Sequence, residues 1–195
     1  MQQDPKRAMQ RRALIAARDA LPEEKRACFG SALREHLRHA LRAALGPIDG
    51  LRVGAYYPIG SEPSLVPLFS EFLEVALPSV AGRDAALTFL SYRPGARLVH
   101  EGFGVQVPEQ RELANPSILL IPCVGFKRRK DGRIDRLGYG GGFYDRTLAK
   151  GQRLTIGIAF EQAELTDFEP MDHDRPLDAL VTEQGLTGRL GSADL

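Results

Sequence analysis

The chain has 195 residues, 43% hydrophobic and 26% charged, which is enough for one domain with a sizeable core and ordinary for a globular protein in water. A formal net charge of +1 argues against nucleic acid as the partner, and no apolar run approaches the roughly 20 residues that span a bilayer. The two cysteines, Cys28 and Cys123, are too few for a disulfide framework; they predict small buried hydrophobes in a reducing cytoplasm.

Residues 4–20 predict a short basic helix with Met9, Leu14, Ile15 and Ala17 as a thin apolar face. Pro22 restarts the chain at a first helical position. From there Cys28/Phe29, Ala32/Leu33, Leu37, Ala40/Leu41 and Ala44/Leu45 recur about every four residues and predict an amphipathic helix, closed by Gly46-Pro47. Arg34, Arg38 and Arg42 fall on its outer face and predict a solvated surface.

Beyond residue 50 the period changes. Apolar segments at Arg52–Tyr57, Val75–Pro78, Leu87–Tyr92, Ile118–Pro122, Thr155–Phe160 and Ala179–Thr182 predict strands. Helical or loop stretches such as Ser64–Leu73 and Phe143–Lys150 lie between them, and a basic loop runs from Lys127 to Arg136. The alternation predicts an α/β class: one three-layer domain over 1–195, with two N-terminal helices (1–46) and a mostly parallel sheet flanked by helices (50–189). Ligands of such sheets gather beyond the carboxyl ends of the strands. The chain is expected to be a monomer.

The densest chemistry is the run Arg136-Leu137-Gly138-Tyr139-Gly140-Gly141-Gly142-Phe143-Tyr144-Asp145-Arg146. Glycine enters positive φ at little cost, so this backbone can curl its N–H groups around an anion, and a helix starting at Phe143 aims further N–H groups at the same spot. Arg136 and Arg146 add positive charge, and Asp145 is placed to hold a cation. The run lacks the Gly-Lys-Ser/Thr ending of one common phosphate loop and the Gly-x-Gly-x-x-Gly register of dinucleotide folds. A tight turn remains the plain alternative for the glycines. Tyr139, Phe143 and Tyr144 offer flat faces to a heterocycle, or core packing at a helix start; the pattern leaves both open.

This run resembles the signature of the 5-formyltetrahydrofolate cyclo-ligase (methenyltetrahydrofolate synthetase) family. The resemblance extends to Pro122–Phe126, Gly157–Gln162, His173–Asp178 and Val181–Glu183, with weaker matches near Lys6 and Glu62. It implies ATP-dependent closure of 5-formyltetrahydrofolate to 5,10-methenyltetrahydrofolate with release of ADP and phosphate. The formyl oxygen attacks the γ-phosphorus, N10 attacks the activated carbon, and phosphate leaves. By the same resemblance Arg136, Tyr144 and Asp145 serve catalysis, and Lys6, Arg18 and residues 136–144 hold ATP. Tyr57, Glu62, Tyr139 and Phe143 line the folate site, while Asp145 and Asp174 hold Mg2+. Apart from the resemblance, Phe103 in Gly102-Phe103-Gly104 is another candidate wall.

Three positions depart from the family pattern: Gln10 replaces an arginine four residues after the lysine, Val107 precedes Pro108 where an acid or amide is common, and Lys127 replaces an aspartate. Arg11, beside Gln10, can substitute, although it points about 100° away around a helix. These departures, with the basic 127–136 loop, leave a second expectation: a cyclo-ligase-like paralogue that binds folate, nucleotide or RNA without closing the ring.

Overall fold

The structure is a computed structural model that describes residues 4–151 and 153–191. Helix α1 spans Pro5–Asp19 and α2 spans Glu23–Leu45. The strands and last helix follow as β1 (Arg52–Gly54), β2 (Glu74–Ser79), β3 (Thr88–Tyr92), β4 (Leu98–His100), β5 (Gln106–Pro108), β6 (Leu113–Ala114), β7 (Ile118–Pro122), β8 (Gly125–Arg128), β9 (Ile134–Leu137), α3 (Phe143–Leu148), β10 (Leu154–Ile158), β11 (Ala179–Thr182) and β12 (Gly185–Gly188).

Eight strands form one sheet in the order β12-β11-β10-β7-β1-β2-β3-β6. Its centre, from β11 to β2, is parallel, and β12, β3 and β6 close the edges antiparallel. Both faces are covered, and the period of two along each strand shows how. On β7, Ile118 and Leu120 pack with Leu33, Leu37 and Leu41 of α2, whereas Leu119 and Ile121 pack with Phe126, Ile134 and Leu177 on the opposite face. Leu14 of α1 and Leu148 of α3 join that second cluster, which makes three layers. Close packing of the central strands requires Gly54: a Cβ there would lie 2.5 Å from Leu119 Cδ2 and 3.0 Å from Phe89 Cε1.

Several expectations need correction. The apolar face expected on α1 is not what it buries: Arg7, Gln10 and Arg18 are buried while Met9 is 61% exposed. Leu14 reaches the core, whereas Arg7, Gln10 and Arg18 turn to polar partners on Asp174, Asp167, Ser61 and Tyr139. Pro22 precedes α2 as its cap, and Cys28 is exposed; only Cys123 is buried, with its thiol pushed up to about 11 by that burial. Arg34 and Arg38 are not simply solvated. Arg34 donates to Ser64 O, and Arg38 pairs with Glu71 at 2.6 Å and with Glu35, tying α2 to the 3₁₀ turn Val66–Glu71 that replaces the expected helical stretch.

The basic 127–136 loop is a hairpin, β8 with β9, turning through Gly132 at φ +86°. Four of its cations are engaged within the protein: Lys127 donates to Phe168 O, Arg128 pairs with Glu161 and Glu164, Arg129 pairs with Asp131 and Asp135, and Arg133 donates to Pro176 O. No helix among the described residues is long and apolar enough to cross a membrane.

Candidate active site

Strands β1, β2 and β7 end at the same edge of the sheet, and a cavity of about 350 Å³ opens there. Tyr56, Tyr57, Ile59 and Glu62 come from the loop after β1, Pro78 and Val80 from the end of β2, and Pro122 from the end of β7. The run Gly138–Asp145 forms one wall, α1 brings Arg7 and Arg11, Phe103 and Val105 form a second wall, and Met171, His173 and Asp174 close the side.

The glycine run bends as its composition requires. Gly140 and Gly142 adopt φ of +95° and +67°, and Gly142 caps α3 with no side-chain bond. No acceptor among the described residues takes the N–H groups of Gly140, Gly141, Gly142 or Phe143, so this backbone offers donors to the cavity. The helix it leads into has only six residues, so backbone donors rather than a long dipole supply the attraction. Arg146 does not point at this spot. Its guanidinium donates to Arg83 O, Ala85 O and Gly141 O and stacks 5.0 Å over Phe143, so it clamps the turn in place.

Arg136, 8% exposed, leans on the Tyr144 ring at 5.2 Å and lies 3.5 Å from Asp145 Oδ2. Asp145 Oδ1 accepts the Arg175 N–H at 3.2 Å. Asp174 accepts Arg7 Nη2 at 2.8 Å and the Met171 N–H at 2.7 Å. Arg11 Nε donates to Gly138 O at 2.7 Å, which sets a third guanidinium beside the glycine run. Burial holds Arg11 below its ordinary pKa, and repulsion from Arg7 and Arg136 adds to this. The buried side-chain donors without a partner, among the described residues, are Nε of Arg7 and Nε of Arg136. Clustered guanidiniums with unmet N–H groups are what an anion of several oxygens would satisfy.

At the other end Glu62, 7% exposed, accepts the Ile59 N–H at 2.8 Å and the Tyr139 hydroxyl at 2.7 Å; burial raises its pKa above the usual carboxylate range. Tyr57 lines the same cavity, Tyr56 turns inward and donates to Pro63 O, and Phe143 meets Phe103 edge-on at 5.1 Å.

The sequence-predicted residues therefore divide. Arg136, Gly138 to Asp145, Tyr57, Glu62 and Asp174 are brought together around one cavity. Leu137 is fully buried beneath it. Lys6 and Arg18 do not line it: Lys6 pairs with Asp167 on the outside, and Arg18 donates to Ser61 and to the Tyr139 hydroxyl. Arg7 was missed, and Arg11, expected only as a substitute for the arginine that Gln10 replaces, lines the cavity with it. They keep the four-residue spacing of a basic pair on one helix face, one position later than Lys6 and Gln10, and that spacing was the available signal. Gln10 donates to Asp167, so the departure there falls outside the cavity. Val107 is fully buried in the β4–β5 hairpin.

A mostly parallel α/β sheet with unpaired backbone donors, guanidiniums and carboxylates beyond its strand ends belongs to the class of open α/β folds that bind their ligands at that edge. A family model described as the 5-formyltetrahydrofolate cyclo-ligase family matches residues 3–183, and the chain belongs to that family. It is similar to a 5-formyltetrahydrofolate cyclo-ligase of Mycolicibacterium smegmatis, 34% identical over 190 residues that cover 88% of this chain and 91% of the relative. A cyclo-ligase of Escherichia coli is 35% identical over 57% of this chain and 62% of its own length. Among solved structures, the Aquifex aeolicus 5,10-methenyltetrahydrofolate synthetase matches with a TM-score of 0.73 at 29% identity, covering 94% of this chain and 92% of that one. The Mycoplasma pneumoniae synthetase matches with a TM-score of 0.70 at 25% identity, over 91% and 98%.

Proposed function

We propose that this chain, acting as one domain, closes 5-formyltetrahydrofolate to 5,10-methenyltetrahydrofolate at the expense of ATP. The observation that carries this is the single cavity in which the Glu62 carboxylate faces a cluster of Arg7, Arg11 and Arg136 across the glycine run. A formyl amide oxygen is already nucleophilic, so no covalent nucleophile is required of the protein. It attacks the γ-phosphorus and ADP leaves; N10 then attacks the formyl carbon and phosphate departs. The residues supply alignment and charge neutralisation. The 138–142 amides and the Arg7 and Arg136 Nε–H donors hold the phosphates in line, and Glu62 takes paired N–H groups of the aminopyrimidine edge, beside Tyr57 and Tyr139.

Asp145 and Asp174 both line the cavity and present hard oxygens, which suits Mg2+. No group of three potential ligands occurs among the described residues, so phosphate oxygens and water would complete the sphere. Bound there, the ion would offset phosphate charge. The paralogue that binds RNA has less support, because Lys127, Arg128 and Arg129 are already paired within the hairpin.

The test is a coupled assay. Purified protein, 5-formyltetrahydrofolate and Mg-ATP should give methenyl absorbance rising one-to-one with ADP. Folate binding with no product would move the assignment to the non-cyclising paralogue.

A further inference from the structure

Arg18 is 7% exposed and stands outside the cavity, yet its two donors reach two different elements of the site. Nε donates to Ser61 Oγ at 3.0 Å, in the loop that carries Glu62, and Nη2 donates to the Tyr139 hydroxyl at 2.9 Å, in the glycine run. Tyr139 passes the contact on, donating to Glu62 Oε1 at 2.7 Å, and the Ser61 hydroxyl donates to Asp19 at the end of α1. The two oxygens of Glu62 are thus pinned separately, one by Tyr139 and one by the Ile59 N–H.

We propose that Arg18 is a positioning residue of the Glu62 end of the cavity, and that the Arg18–Tyr139–Glu62 relay couples occupation of the glycine run to occupation of the Glu62 pocket. The inference rests on the cyclo-ligase reading of the two ends. Tyr139 is flanked by Gly138 and Gly140, so its backbone moves with the phosphate cradle while its hydroxyl fixes the carboxylate. An anion that orders the cradle therefore orders Tyr139, and Arg18 keeps the hydroxyl oriented as a donor toward Glu62. The hydroxyl oxygen accepts from Arg18 Nη2, which cannot accept in return, so its hydrogen is directed to the carboxylate. The folate pocket is then preorganised when nucleotide binds, and linkage makes the effect reciprocal. Arg18 does not line the cavity, which separates its role from that of Arg7 and Arg11, which do.

Calorimetric titration of the full chain with 5-formyltetrahydrofolate, alone and with saturating ADP, measures the coupling. Wild type should bind the folate about tenfold more tightly when ADP is present, within the usual range for linked sites. Tyr139→Phe keeps the ring and removes both bonds of the hydroxyl, so the ratio should fall to about one. Arg18→Gln should behave in the same way, and Arg18→Lys should restore only part of the ratio, because an ammonium cannot reach both oxygens in a fixed fork. A merely structural role would lower both affinities or the melting temperature and leave the ratio unchanged, and that outcome overturns the proposal. So does loss of ADP affinity in Arg18→Gln with the ratio intact, which would make Arg18 a phosphate ligand. Wild type that binds both ligands with a ratio of one overturns the proposal alone; wild type that binds neither overturns the cyclo-ligase reading and the proposal with it.

Discussion

Arg7 Nη2 meets Asp174 Oδ2 at 2.8 Å across 167 residues of chain, with side-chain exposures of only 8% and 11%. This ion pair fastens α1 to the segment before β11 and closes one side of the cavity. Phe168 lies beneath the guanidinium, 4.9 Å away, so the charge is desolvated and depends on its partner. Asp174→Ala should therefore lower stability by about 3 kcal/mol, the typical result of leaving a buried charge alone. Urea unfolding monitored by far-UV circular dichroism measures it; a change below about 0.5 kcal/mol would mean the pair is effectively solvated.

Arg11 and Lys6 make opposite predictions for the nucleotide. Arg11 sits on Gly138 O inside the cavity, whereas Lys6 pairs with Asp167, both with more than half of their side chain in solvent. Arg11→Ala should raise KM for ATP by about tenfold, the loss of one charge-assisted contact worth about 1.5 kcal/mol. Lys6→Ala should change it by less than about twofold, as for exposed pairs. Steady-state kinetics on both variants decide which basic pair of α1 serves the phosphates.

What was legible in the sequence follows from where burial dominates. Five of the six apolar strands stand out because both faces of a central parallel strand are covered, so Ile118 to Pro122 is apolar throughout; the sixth, β3, is antiparallel yet buries Phe89, Leu90 and Tyr92. The edge and hairpin strands did not stand out. β12 is Gly-Leu-Thr-Gly, and in β8 and β9 the cations mask the alternation of Phe126 and Ile134 with their neighbours, although Asp131-Gly132 is a fair hairpin turn signal. The site was legible at the glycine run because backbone geometry there dictates residue type. It was misjudged on α1, where hydropathy chose Met9 and the fold buries Arg7 and Arg18. A helix that packs on a polar cavity carries its information in charge spacing, not in apolar period.

Glu62 should show its burial in the pH dependence of stability. A carboxyl whose pKa is raised in the folded state holds a proton that the unfolded chain releases. Its contribution is fully present below the unfolded value near 4.3 and is lost as pH rises through the folded value. Gln cannot ionise, and the Tyr139 hydroxyl can turn to accept its amide. The stability of Glu62→Gln relative to wild type should therefore increase from pH 4 to pH 7, while folate affinity falls by about tenfold or more for loss of a charge-assisted acceptor. Denaturant unfolding at the two pH values, with a folate titration at pH 7, measures both. A flat difference between pH 4 and pH 7 would show that Glu62 is well solvated.

Asp145 separates chemistry from folding. Its side chain is 16% exposed, its contact with Arg136 Nη2 is a long 3.5 Å, and its other oxygen accepts a single backbone N–H from Arg175. Asn keeps an acceptor for that N–H and nearly the same volume, and Arg136 retains the Tyr144 ring and Pro122 O. Asp145→Asn should therefore leave the melting temperature within about 3 °C of wild type, since about 1 kcal/mol shifts a chain of this length by 2–4 °C. If the carboxylate seats the cation beside the phosphates, turnover should fall by at least about a hundredfold, comparable to losing one preorganised electrostatic contact in a transition state. Raising the magnesium concentration should recover part of that loss, because a weakened site is refilled by mass action. Thermal melts and the coupled methenyl–ADP assay across a magnesium series give the three numbers. Turnover within twofold of wild type at every concentration would remove Asp145 from the metal site and leave its charge to balance Arg136 alone.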